Sequence, residues 1–223
     1  MISLVSTLIA ILIATAPTPK ISLPAVVATS ETVLAQRQFS LQQRHAAPGV
    51  NAVFKKNIWL NLAYLQKSVT RKQDIDWQQS EQPSEFSVTL LPDQTFAYHD
   101  QVLPEYADSV SLTTEAHFSA DEGFISDGYL YGDGVCHLAS LLNWAAQDAG
   151  LALEVTKNHN FAAIPQVPKE YGVSIYANQN IPESGSRRNL YITNNRDEAV
   201  RFQFIYLVDE LRIVVSEIVN QGA

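Results

Sequence analysis

The segment from Val135 to Gly150, VCHLASLLNWAAQDAG, constrains the fold more than any other stretch of the chain. Leu138, Leu141, Leu142, Ala145 and Ala149 fall on one stripe at helical spacing, and Gly150 stands where a helix ends on a glycine. A helix with such a stripe needs an apolar surface to cover it, and the flanking sequence offers strands. Phe86, Val88 and Leu90 alternate with Ser87 and Thr89, and Leu91-Pro92-Asp93 ends that run in a turn. Leu151 to Val155, Val173 to Tyr176 and Leu190 to Thr193 read as short strands. Val200 to Leu207 and Leu211 to Val219 read as a hairpin turning at Val208, Asp209 and Glu210. A second, amphipathic helix is predicted from Asn51 to Gln66, with Phe54, Ile58, Leu62 and Leu65 inward and Lys55, Lys56 and Asn61 on other faces. Between Thr95 and Tyr131 lies a long irregular region rich in Phe and Tyr, of the kind that forms binding loops. The expected fold is α+β: a single domain with a central helix packed on a mainly antiparallel sheet.

With 223 residues, 46% of them hydrophobic, the chain can bury one good core but not two large ones besides a leader. Its 15 Lys and Arg against 23 Asp and Glu, a net charge of −8, exclude nucleic acid as the main partner, because phosphate contacts dominate that affinity. The one cysteine rules out an intramolecular disulfide, so packing must hold the fold. From Ile2 to Ala16 the sequence ISLVSTLIAILIATA carries no charge, the length of a signal-peptide core and short for a membrane span. No Lys or Arg precedes it, and Lys20 is the first positive side chain. Residues 1–35 therefore read as a signal peptide or membrane anchor, with cleavage sites that fit after Ala28 or Ala35. Residues 36–50 read as linker and 51–223 as the domain. The expected location is the cell envelope, by secretion or by anchoring; the alternative is that the apolar run is a core helix.

Cys136 sits in the first turn of the predicted helix, where free N–H groups and the helix dipole favour a thiolate. Gly132 and Gly134 beside it can expose backbone N–H groups as an oxyanion hole. Asp133, placed to cap the helix, pushes the thiol pKa the other way. His159 is the candidate base, with Asn158 and Asn160 placed to orient its ring, and His137 is the second candidate. Ser140, one turn beyond Cys136, can meet a ligand or simply bond a helix carbonyl. Read structurally instead, Cys136 is a small buried hydrophobe and His159 a loop histidine. One cysteine and five scattered histidines give no metal-ligand spacing, so neither a metal nor another cofactor is expected.

The run GDGVCHLASLLNWAAQDAGL from Gly132 to Leu151, with Leu91-Pro92-Asp93-Gln94-Thr95-Phe96 before it and Asn158-His159 and Asn194-Asn195 after it, resembles the VanW-like family. That family carries a PGxTFSFN segment, a GGGVCQxSTTLxxAxxxAGL helix, an RHxHS segment and a DLxFxNN strand in the same order. The chain departs at Asp93, Asp133, His137 and Ser140-Leu141, and Asn158 and Phe161 stand where the family has Arg and its second His. The resemblance implies a cell-envelope protein acting on peptidoglycan, in some members as an L,D-transpeptidase. It implies Cys136 as acyl acceptor, His159 as base and peptidoglycan stem peptides as the partner. A non-catalytic cell-wall-binding or scaffolding domain stands beside it as the other reading.

Overall fold

Apolar and polar residues alternate most cleanly at the C-terminal end, and the first sheet grows from there. The computed structural model describes residues 29–128, 132–177 and 188–220. Every second residue of β7 (Ala199–Tyr206) is buried, including Val200, Phe202, Phe204 and Tyr206, and Leu211, Ile213 and Val215 of β8 (Glu210–Asn220) face the same core. The expected β2 (Ser84–Leu90) pairs with the outer edge of β7 and buries Phe86 and Leu90. The fourth strand, β1 (Thr29–Ser40), completes an antiparallel sheet of order β1-β8-β7-β2.

β1 corrects the sequence reading, which places residues 29–40 in leader and linker. An extra residue between Val33 and Ala35 bulges the strand and breaks its alternation, which conceals it in the sequence. A cut after Ala35 would remove Thr29 to Ala35, six of the eleven paired positions, whereas a cut after Ala28 would leave the strand whole. Residues 1–28, with the apolar run from Ile2 to Ala16, lie outside the described residues. None of the described helices is long and apolar enough to cross a membrane.

A second sheet, of order β4-β3-β6-β5, combines β3 (Thr95–Ala97), β4 (Val110–Thr113), β5 (Ala152–Val155) and β6 (Leu190–Thr193). All its pairings are antiparallel except β3 with β4. The irregular region thus holds two short strands that its sequence does not announce. Val173 to Tyr176 forms no strand; it makes isolated bridges from Val173 to Asn158 and from Tyr176 to Arg188.

The helices lie among these sheets, and the molecule is a mixed α+β fold. α2 (Val135–Asp148) touches β1 and β8 of one sheet and β5 and β6 of the other. Its stripe of Leu138, Leu141, Leu142 and Ala145 is buried as the spacing predicts. Gly150, at φ +74°, ends it in a Schellman motif, with Gly150 N–H donating to Gln147 and Leu151 N–H to Ala146. α1 (Pro48–Leu65) starts on a proline in its first turn and is buried on almost every face, which the amphipathic reading misses. Its polar residues turn inward to tie loops. Asn57 Nδ2 donates to the carbonyls of Ile125 and Asp133, and its Oδ1 accepts from Ile125 N–H. Asn61 Oδ1 accepts from the Tyr98 hydroxyl, and Lys55 pairs with Glu81.

Candidate functional site

α2 begins where the chain presses closest on α1. Gly134, its N-cap, has φ +102°, and a Cβ there would stand 2.9 Å from the Phe54 carbonyl oxygen. Only glycine fits both the conformation and the approach. The cap carries no side-chain bond. Asp133, expected in that role, accepts from Asp127 N–H instead, because the cap falls one residue later. Gly132 N–H is already committed to the Ile125 carbonyl, so it is not free for an oxyanion. Val135 N–H is likewise committed to the Gly132 carbonyl, so the Cys136 and His137 amides are the first-turn donors that remain.

Along one face of α2, Cys136, Ser140 and Asn143 meet the backbone of the strandless segment 171–175. Cys136 Sγ donates to the Ile175 carbonyl at 3.7 Å and accepts from Ile175 N–H at 3.4 Å. Ser140 Oγ accepts from Val173 N–H at 2.8 Å and donates to the Cys136 carbonyl at 2.7 Å. Asn143 Nδ2 donates to the Tyr171 carbonyl at 3.1 Å. Three side chains at positions i, i+4 and i+7 thus do for alternate residues of 171–175 what a neighbouring strand would do. Ser140 is fully buried and lies away from any ligand surface.

Cys136 is only half-buried, and it opens onto a groove of about 880 Å³. The same groove is lined by His45, His117, His137 and His159, four of the five histidines, and by Phe54, Phe118, Phe161, Ile175 and Tyr176. Sequence spacing gives no hint of His45 or His117 here, because only the tertiary fold brings them in. Phe161 is 75% exposed, and Tyr176, with the Arg188 guanidinium over its ring, is 41% exposed. Asn158 is exposed and does not line the groove.

The candidate base is oriented differently from expectation. His159 Nδ1 lies 3.0 Å from the Ala162 carbonyl, and its ring packs on Phe161 with centroids 3.9 Å apart. A carbonyl only accepts, so Nδ1 carries the proton and Nε2 keeps the lone pair. The flanking asparagines take no part. His137 and His159 meet edge-on with centroids 6.3 Å apart. Among the described residues no hydrogen bond joins Cys136 to either ring.

Burial, the largest influence, raises the Cys136 thiol above its ordinary value. The Ile175 N–H and the Arg188 guanidinium pull it down, and Asp133 pushes it up. The helix N-terminus therefore does not yield a standing thiolate, because desolvation outweighs it. Burial drives His137 down to about 3, reinforced by Arg44, His159 and His45, and burial also lowers His159. Both rings are neutral at pH 7. Among the described residues no group of three or more His, Cys, Asp and Glu is placed to hold a metal ion. No family model matches the chain, and no curated protein or solved structure matches it.

Proposed function

We propose that the chain is an envelope protein that transfers an acyl group through Cys136, with a peptidoglycan stem peptide as donor. The observation that carries this reading is convergence: the one thiol of the chain opens onto the same large groove as two neutral imidazoles, His137 and His159. The motif around Cys136 and the apolar run from Ile2 to Ala16 support the envelope setting. In this reading the chain is one domain organised round α2 as its central helix, exported or held at a membrane by its N-terminal segment.

The resting thiol is protonated and bonded to Ile175, so the nucleophile forms during the encounter rather than beforehand. Substrate in the groove releases Sγ from Ile175. His159 Nε2 takes the proton as sulfur attacks the amide carbonyl. The oxyanion is held by first-turn amides of α2. The C–N bond then breaks, the amine leaves with the proton from the imidazolium, and a thioester remains. An incoming amine or water, giving its proton to the same imidazole, attacks the thioester and releases Cys136 as the thiol.

A second reading is a binding domain in which Cys136 only packs, and the paired bonds between Sγ and Ile175 favour it. There Phe161 and Tyr176 are the platform for glycan or peptide. Incubation of the protein with stem peptides, followed by intact-mass measurement, separates the two. Acyl transfer predicts a covalent adduct that Cys136→Ala abolishes. No adduct, with Phe161→Ala weakening peptide binding, rejects it and establishes the binding domain.

A further inference from the structure

The groove has a second centre that acyl transfer does not use. Arg44 is buried to 2% exposure and lines the groove, yet among the described residues it has no carboxylate partner. Its Nε donates to the Ser40 carbonyl, and its Nη2 donates to the Pro165 carbonyl and to Gln166 Oε1. Its guanidinium packs over the Phe39 ring at 3.9 Å. Nη1 is buried and meets no acceptor. His137, also buried and also lining the groove, holds its ring against Phe54 and leaves Nδ1 buried without a partner. Of the buried side-chain nitrogens and oxygens without partners among the described residues, these two are the ones that line the groove.

A buried guanidinium with no counter-ion is costly, and two of its three nitrogens, Nε and Nη2, are fixed by hydrogen bonds so that Nη1 alone is left to find a partner. We propose that Arg44 Nη1 and His137 Nδ1 form a subsite for the carboxylate of a groove ligand. One carboxylate oxygen accepts from Nη1 and the other from Nδ1–H of the neutral imidazole. A monoanion matches the single positive charge. A phosphate dianion would bring a second negative charge that the single guanidinium does not balance. The subsite does not depend on Cys136 reacting; it selects ligands that end in a free carboxylate.

The test is titration of N-acetylalanine into the full-length protein, followed by the His137 ring resonances, with N-acetylalaninamide and inorganic phosphate in parallel. The expected result is saturable binding of the acid, with the amide and phosphate each at least tenfold weaker. Arg44→Gln, if its spectrum is that of a folded protein, should weaken the acid by a similar factor. Should that variant fail to fold, the acid raising the melting temperature of the unmodified protein while the amide does not supports the subsite, and equal effects of the two overturn it. Equal binding of acid and amide, tighter binding of phosphate, or full binding by folded Arg44→Gln overturns the proposal. Carboxylate binding without any adduct at Cys136 would leave the subsite standing and remove acyl transfer.

Discussion

The two faces of α2 hold their neighbours by different physics. One face buries Leu138, Leu141, Leu142 and Ala145 among both sheets and α1. The other presents Cys136, Ser140 and Asn143 to the backbone of 171–175 through hydrogen bonds. The apolar face supplies most of the stabilisation, because each fully buried Leu contributes roughly 1.5–3 kcal/mol without regard to direction. The polar face supplies register: it fixes which backbone group stands beside the thiol, and so shapes the floor of the groove.

Acid acts on buried histidines outside either face and should give the largest change. His137 is driven down to about 3 and His99 to about 4, both below the ordinary value of about 6.5. A depressed folded-state pKa gives stability that is present above the unfolded value and is lost as pH falls through the folded one. The urea midpoint should therefore fall steadily from pH 6.5 toward pH 4, and His137→Gln should flatten that fall.

On the apolar face, Leu141→Ala should cost about 2–5 kcal/mol in denaturant unfolding, as a buried leucine leaving a cavity does. On the polar face, Ser140→Ala leaves the Val173 N–H without its partner and should cost about 1–3 kcal/mol. It should also speed hydrogen exchange across 171–175, which Leu141→Ala should not do at matched stability. Asn143 Oδ1 is already buried without a partner, so Asn143→Leu trades one good bond for one removed penalty and should change stability by less than about 1 kcal/mol. A large loss there would mean that the polar face carries stability as well as register.

These contrasts also explain what could be read from the sequence. The stripe of α2, the strand β2 and the hairpin of β7 and β8 follow from periodicity, because one side of each is covered and the other is not. α1 defeats periodicity: Asn57 and Asn61 look like solvent positions but bond Ile125 and Tyr98, residues far along the chain. β1 is hidden by its bulge and by a partner strand at the other end of the sequence. Cys136 and His137 stand out by residue type and by their place near a helix start, and His159 by residue type in the loop after β5. Arg44, His45, His117 and Phe161 carry no local signal, and only folding brings them to the groove. The upward push of Asp133 on the thiol was legible in the sequence; the desolvation that dominates, and the downward pull of Ile175 and Arg188, arise only from tertiary packing.

The most direct test of the central claim, a protonated thiol held open in a groove, is the rate of Cys136 alkylation by iodoacetamide against pH in the folded protein. The account predicts measurable labelling that is slow at pH 7 and still climbing at pH 9, with sulfur released from Ile175 as the proton leaves. A rate already on its plateau at pH 7 would mean a standing thiolate. No labelling at any pH that leaves the protein folded would mean a sealed sulfur. Either result would contradict the account.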